Sequence, residues 1–236
     1  MVKISVGASA DNNVSAAHIR ELLEQFNEAQ QCHEPICFVP KNAGRFFCSG
    51  FDLAELIKLP EQQVADTFES FLLLTRAVFH SPSRVGVLAE GHAVGVGAML
   101  ALAADRCVMQ QQAKLRFPEV LLGLGLFPDI VDLIRYRTVP AKAELLLCDA
   151  VGMEAERACQ LGLISGYHND RTEMAEGAFE LSTVAPYEAT AHMKQLCRQG
   201  FLQSPIGPQL DGFMHMWTQS ATQKRLRQFV EKTASG

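Results

Sequence analysis

The sequence predicts an α/β fold in which short parallel strands alternate with helices and are followed by a helical C-terminal region. Apolar runs of strand length recur through the first two thirds of the chain, and segments with helical apolar spacing lie between them. From Met174 onward, amphipathic helix dominates and no clear strand is visible. Alternation of this kind is typical of parallel sheets covered by helices, and 236 residues suffice for one large α/β domain with an appended segment.

The strand candidates are short and rich in β-branched and aromatic residues, at residues 2–6, 35–39, 84–89, 107–109 and 115–117. Ser15 can cap the first helix, which is predicted over residues 16–30. The other helix candidates cover residues 60–80, 98–104, 130–136, 141–147 and 154–161. The predicted division is a core of residues 1–173 and a C-terminal helical region of residues 174–236.

Composition excludes several classes of function. A net charge of −5 provides no general attraction for nucleic acid or for an anionic membrane. The seven cysteines are odd in number and none has C-x-x-C spacing, so we expect neither a disulfide framework nor a metal site. The first residues, MVKISVGASADNN, lack a signal pattern, and no apolar run reaches membrane-spanning length. These features predict a cytoplasmic protein without nucleic-acid or membrane partners.

Two glycine-bearing junctions are candidates for binding a negative charge. In the first, a strand ends at Cys48-Ser49-Gly50 and the next N–H belongs to Phe51; in the second, Gly95-Val96-Gly97 begins a helix apolar enough to be buried. The first N–H groups of a helix have no internal partner and carry the positive end of its dipole. The glycines can equally serve close packing, and without a third glycine they are weak evidence for a dinucleotide site.

Two acidic residues follow prolines in the apolar stretch KLRFPEVLLGLGLFPDI. These are Glu119 and Asp129. A carboxylate in such surroundings is costly unless it is paired, exposed or used in chemistry, and burial would raise its pKa toward the range useful for proton transfer. Each acid is equally compatible with a loop position that faces water, and Glu119 could instead cap the following turn.

Taken in order, three segments resemble the crotonase superfamily, also called the enoyl-CoA hydratase/isomerase family. RFFCSGFDL resembles the first oxyanion segment of that family, GHAVGVGAMLALAADRCV the second, and FPEVLLGLGLFPD the catalytic acid segment. The similarity continues through VPAKAELLLCDAVGMEAERACQLGLIS and covers residues 14 to 232. The resemblance implies a spiral of ββα units with a helical C-terminal region that serves in oligomerisation.

The resemblance also implies roles for individual residues. The backbone N–H groups of Phe51 and Val96 would form an oxyanion hole for a thioester carbonyl as it becomes an enolate. Glu119 would be the proton-transferring acid, with Asp129 second and Asp132 a distant third. Residues implied in coenzyme A binding are Cys48, Ser49, Leu53, Trp217 and Lys232. Trp217 is equally compatible with a core aromatic. Coenzyme A is part of the substrate, so no separate cofactor is implied, and the implied assembly is a homotrimer or a hexamer.

Met99 departs from the pattern of the hydratases in this family. At this position the hydratases carry the first of two glutamates that position water. Methionine can neither accept a proton nor orient water. A lone acid, Glu119, can still move a proton between two carbons of an enolate. The sequence therefore favours an enoyl-CoA double-bond isomerase. The alternatives are a hydratase, a decarboxylase, a thioester hydrolase, or a non-catalytic acyl-CoA-binding or assembly protein.

Overall fold

The computed structural model describes residues 1–179 and 186–234. Its strands are β1 Val2–Val6, β2 Ile36–Pro40, β3 Phe46–Cys48, β4 Val85–Ala89, β5 His92–Val94, β6 Arg106–Gln110, β7 Lys114–Arg116, β8 Met153–Glu154 and β9 Gly166–His168. Its helices are α1 Ala16–Gln30, α2 Leu53–Leu56, α3 Glu61–His80, α4 Val96–Ala103, α5 Pro128–Arg137, α6 Pro140–Cys148, α7 Ala155–Gln160, α8 Arg171–Phe179, α9 Tyr187–Arg198, α10 Ile206–Trp217 and α11 Ser220–Ala234. A 3-10 turn covers Glu119–Leu122.

The strands form two sheets that wind together as a spiral. One sheet has the order β1-β2-β4-β6-β9 and is parallel; the other has the order β3-β5-β7-β8 and is parallel except for its last pair. Successive turns of the chain contribute one strand to each sheet, as in β2 with β3 and β4 with β5, before a helix returns. The predicted α/β spiral of ββα units is confirmed.

The predicted helices form for the reasons the sequence suggests. Ser15 caps α1 by accepting a hydrogen bond from the His18 N–H. Helix α3 begins after Pro60 and buries one face, which includes Phe68 and Phe71, against the core. All eight residues of α4 are buried, which agrees with its apolar sequence. Because α4 has no exposed face, the positions of its end groups are set by the surrounding sheets.

Three strands have no counterpart among the sequence predictions: β5, β8 and β9. Each is only two or three residues long, too short for an alternating pattern to stand out. Their extended conformation is stabilised by pairing with neighbouring strands, as where Ala93 of β5 lies opposite Leu115 of β7. β5 matters most for function because it leads directly into α4.

The C-terminal helices pack onto the core of the same chain. α8 crosses the predicted boundary at residue 173, α10 lies against α3, and α11 lies against α2 and the 3-10 turn. α9 is held by Asp105, which pairs with Lys194 at 2.8 Å and with Arg198 at 2.7 Å. Of the predicted C-terminal region, residues 180–185 and 235–236 lie outside the described residues.

Candidate active site

The ends of β3 and β5 bring two glycines against each other. Gly50 has a φ of +99° and Gly95 a φ of +52°, both in the region that side chains disfavour. A Cβ added to Gly95 would lie 3.7 Å from the Gly50 Cα. The two turns singled out in the sequence are therefore neighbours in space.

The backbone N–H of Phe51 is turned away from the nearest strand. Val14 donates to the Gly50 carbonyl at 2.9 Å and accepts from the Asp52 N–H at 2.9 Å, so both bonds of this parallel bridge flank Phe51. In such a bridge the flanked residue directs its own N–H to the opposite side. The Phe51 N–H is thereby free to serve another acceptor.

The second donor lies at the start of α4. Val96 is the first helical residue and is 2% exposed, and Gly95 before it accepts a hydrogen bond from the Met99 N–H at 2.9 Å. The Val96 N–H has no intrahelical acceptor because it belongs to the first turn. It also adds the positive end of the helix dipole.

Phe51 and Val96 line one cavity of about 290 Å³. Its wall is mostly apolar. It is formed by Ser49, Gly50, Phe51, Leu53, Phe68, Phe71, Val94, Gly95, Val96, Met99, Arg116, Pro118, Glu119, Leu121, Leu122, Leu124, Leu126, Phe127, Phe213, Trp217 and Phe229. An apolar cleft with a few converging polar groups is the usual form of a small-molecule site.

Glu119 is the carboxylate in this wall. Its Oε1 lies 3.1 Å from the position that a Cβ on Gly95 would take, beside the start of α4. Its Oε2 is buried and has no hydrogen-bond partner. Burial raises the pKa of Glu119 from 4.5 to about 7, with a small opposing effect of a backbone hydrogen bond. Two N–H donors and an acid of near-neutral pKa thus share one cavity, an arrangement that can hold an oxyanion and move a proton.

The chain matches a known family along nearly its whole length. The family described as enoyl-CoA hydratase/isomerase matches residues 2–235. The chain belongs to this family. Its fold also matches a human mitochondrial delta3-delta2-enoyl-CoA isomerase, with a TM-score of 0.91, 16% identity and coverage of 99% of this chain and 93% of that one. An enoyl-CoA hydratase from Bacillus halodurans matches with a TM-score of 0.82, 20% identity and coverage of 92% and 91%.

Relatives with higher sequence identity match shorter stretches. A "probable enoyl-CoA hydratase" of Rhodobacter capsulatus is 33% identical over 159 residues, which are 65% of this chain and 59% of that protein. An ethylmalonyl-CoA decarboxylase of Gallus gallus is 28% identical over 218 residues, covering 87% and 72%. In relatives of 33–35% identity, the matching stretch spans 45–59% of their length, so the chain spans about half of each.

Among the residues that the family resemblance singled out, several meet at the cavity. Ser49, Leu53 and Trp217 line it together with the two N–H donors and Glu119. Trp217 also packs against Phe68 and Phe213, so it is both a core aromatic and a wall of the cavity. Met99 lines the cavity as well and is 3% exposed; it is the position at which the family resemblance implies a glutamate in hydratases.

Three predicted site residues do not reach the cavity wall. The Cys48 side chain is fully buried against Gly97, and burial raises the pKa of its thiol to about 12. Lys232 is exposed on α11. Asp129 is buried and its Oδ2 accepts from the Arg76 Nε at 2.5 Å. The structure therefore separates these side chains from Glu119.

Sequence reasoning missed several residues of the wall. Phe68 and Phe71 lie on the buried face of α3, and nothing in their helical spacing distinguishes a core position from a cavity position. Phe127 and Phe213 stack with a centroid distance of 4.5 Å and come from distant segments. Phe229 of α11 and Arg116 of β7 also line the cavity, and only the tertiary fold brings them there.

No group of three or more His, Cys, Asp or Glu side chains suited to hold a metal ion is found within residues 1–179 and 186–234. The helices in those two ranges also lack the apolar length that a membrane span requires.

Proposed function

We propose that the protein acts on acyl-CoA thioesters through an enolate, with double-bond isomerisation as the favoured reaction. The observation that carries the proposal is the Glu119 carboxylate, whose Oε2 is buried and has no hydrogen-bond partner, in the same cavity as Phe51 and Val96. The fold and the family indicate the type of reaction, and Glu119 is the group that would transfer the proton. A role restricted to binding would not need a buried, uncompensated carboxylate at this place.

In the proposed reaction, the thioester oxygen accepts hydrogen bonds from the Phe51 and Val96 N–H groups. Glu119 removes a proton from the carbon next to the thioester of a 3-enoyl group, and the negative charge moves onto that oxygen. The same carboxyl group then returns the proton to the fourth carbon of the acyl chain, so that the double bond becomes conjugated with the thioester. A pKa of about 7 suits both removal and return at neutral pH. The steps need no cofactor beyond the coenzyme A of the substrate.

Hydration is the less favoured reaction because the cavity offers one acid. Met99 occupies the wall at the position of the missing glutamate, and its thioether is at best a weak acceptor. Glu119 is the only acidic residue among the described residues of the wall. Adding water across a double bond would require a second group to orient that water.

Decarboxylation is a second candidate. It is supported by the ethylmalonyl-CoA decarboxylase of Gallus gallus, whose similarity extends over 87% of this chain. Loss of carbon dioxide from a malonyl-type thioester also leaves an enolate, which the same N–H pair would hold. Glu119 would then donate the proton that completes the product.

An ultraviolet assay of the purified protein tests the proposal. We expect a 3-enoyl-CoA to become conjugated and a 2-enoyl-CoA to remain unhydrated. A malonyl-type thioester that loses carbon dioxide while the 3-enoyl substrate is unchanged would favour the second candidate. Hydration of the 2-enoyl substrate would contradict our interpretation of Met99.

The assembly that we propose is a homotrimer or a hexamer, as the family resemblance implies. Light scattering of the purified protein measures it directly. A monomer at micromolar concentration would contradict this part of the proposal.

A further inference from the structure

One cation lies among the described residues that line the cavity, and this is Arg116. It belongs to β7, three residues before Glu119, and its side chain is exposed. Its own carbonyl accepts a hydrogen bond from the Gly95 N–H at 3.0 Å. The backbone of Arg116 is thus fixed directly beside the two N–H donors and the acid.

The guanidinium of Arg116 is held at one of its three nitrogens. Nε donates to the Ala150 carbonyl at 3.1 Å, and the Cδ lies 3.7 Å from the position of a Cβ on Gly152. Within the described parts of the chain, Nη1 and Nη2 have no hydrogen bond or ion pair. Lys114, two residues earlier on the same strand, differs because its Nζ pairs with Glu154 at 2.8 Å.

Arg116 does not compensate Glu119. The two side chains form no ion pair within 4.0 Å, and the pKa of Glu119 is raised by burial without an opposing effect of Arg116. The bond to Ala150 keeps the guanidinium apart from the acid, and Ala150 itself has the unusual φ of +51°. The cation is therefore available to a ligand, while the acid keeps its near-neutral pKa.

Arg116 belongs to a mostly apolar wall, and its guanidinium has two unused donors. Such a group suits a carboxylate, which accepts two parallel N–H bonds from it. We propose that Arg116 binds a carboxylate on the acyl group. The substrates would then be thioesters of dicarboxylic acids, in which one carboxyl carries coenzyme A and the other is retained. This inference rests on the proposed function, because it assumes that the acyl group occupies this cavity.

A binding measurement with unreactive thioesters tests the inference independently of turnover. Glutaryl-CoA and pentanoyl-CoA have the same number of acyl carbons and differ in the terminal carboxylate. By titration calorimetry, we expect the wild-type protein to bind glutaryl-CoA about threefold to fivefold more tightly, as one exposed ion pair allows. Raising the salt concentration should reduce this preference.

Arg116→Gln should abolish the preference and leave pentanoyl-CoA binding unchanged, whereas Arg116→Lys should retain part of it. Lys114→Gln is the matched control, because Lys114 lies on the same strand and already pairs with Glu154. The preference of this variant for glutaryl-CoA should equal that of the wild type. Thermal unfolding of each variant checks that it is folded, and the wild-type comparison stands without any variant.

Equal affinity of the wild type for the two thioesters would overturn the role of Arg116 and leave the proposed function intact. A preference for glutaryl-CoA that persists in Arg116→Gln would likewise overturn the role of Arg116 and leave the proposed function intact. Failure of the wild type to bind either thioester would overturn both proposals.

Discussion

Glu119 and Asp129 begin from the same sequence context and end in opposite environments. Each follows a proline in one apolar stretch. Glu119 lies in the cavity wall and its Oε2 has no partner, whereas the Asp129 side chain is 1% exposed and bonds to Arg76. The neighbours of a buried carboxylate therefore determine whether it is reactive or structural. Its position after a proline does not determine this.

The surroundings of Asp129 explain why it is structural. Its Oδ2 pairs with Arg76 of α3, and Arg76 also donates to the Ser204 carbonyl. The Asp129 N–H donates to the Gln209 Oε1 at 3.0 Å, which links α5 to α10. Oδ1 has no hydrogen-bond partner, but Arg76 compensates the charge. Asp129 thus joins α3, α5 and α10.

Glu119→Gln is the substitution with the largest expected effect. Gln keeps the shape of the side chain and cannot take a proton, so isomerase turnover should fall by roughly 10²–10⁴-fold. The melting temperature should stay equal or rise, because an uncompensated buried acid is removed. Steady-state kinetics and thermal unfolding measure the two quantities on the same sample. Retention of wild-type turnover would remove Glu119 from the chemistry.

Asp129→Asn should show the reverse pattern. Removing one partner of a buried ion pair costs about 3 kcal/mol in the free energy of unfolding, since Arg76 is left uncompensated. Turnover per folded molecule should change by only a few fold. Asp132→Asn, at a half-buried position of the same helix, serves as the control and should leave both quantities near wild type. A hundredfold loss of turnover without loss of stability would break the contrast with Glu119.

The pH dependence should differ between the wild type and Glu119→Gln. The Glu119 pKa is about 7 when folded and near 4.5 when exposed, so folding favours the protonated form. As the pH rises from 4.5 to 7, the unfolded state loses this proton first and the wild type loses roughly 2–3 kcal/mol of stability relative to the Gln variant. Above pH 7 the difference should be constant. Chemical denaturation of both proteins at pH 5 and pH 8 measures it, and an equal difference at both values would contradict the raised pKa.

Proton removal by Glu119 should follow the same ionisation. Turnover should increase with pH through a midpoint near 7, because the base must be deprotonated. A pH profile of kcat/KM measures the midpoint in the free enzyme. A profile that is flat between pH 5 and 8 would show that another group is titrated or that chemistry is not limiting.

Gly95→Ala should cause a small loss of both stability and turnover. A Cβ there would lie 3.1 Å from the Glu119 Oε1 at a backbone φ of +52°, which costs roughly 1–2 kcal/mol. Turnover should fall about tenfold, because the acid and the Val96 N–H would shift. Gly212→Ala in α10 is the matched control: a Cβ there meets nothing within 4 Å, so stability should stay equal or increase. Wild-type turnover in Gly95→Ala would show that the two groups tolerate displacement.

Most of the fold could be predicted because its signals are local. The apolar runs and helical spacing predicted β1, β2, β4, β6, β7, the end of β3 and the helices from α1 to α7 except α2, with bounds that differ by a few residues. The short strands β5, β8 and β9 could not be predicted, since they depend on pairing with distant segments. The same limit applied to the wall of the cavity, where Phe127, Phe213 and Phe229 meet from separate elements.

By itself, the sequence determined the α/β class, the two glycine turns and the candidate acids, because each of these depends on residue type at short spacing. The spiral arrangement was implied only by the family resemblance that those segments carry. The tertiary structure alone decided which acid is paired. Arg76 lies 53 residues before Asp129, and no pattern in the sequence connects them. It also decided that Glu119 and Arg116 share a cavity without pairing, because that separation depends on the bond between Arg116 and the Ala150 carbonyl. Charge compensation over long sequence distances is set by packing, and packing exists only in the folded chain.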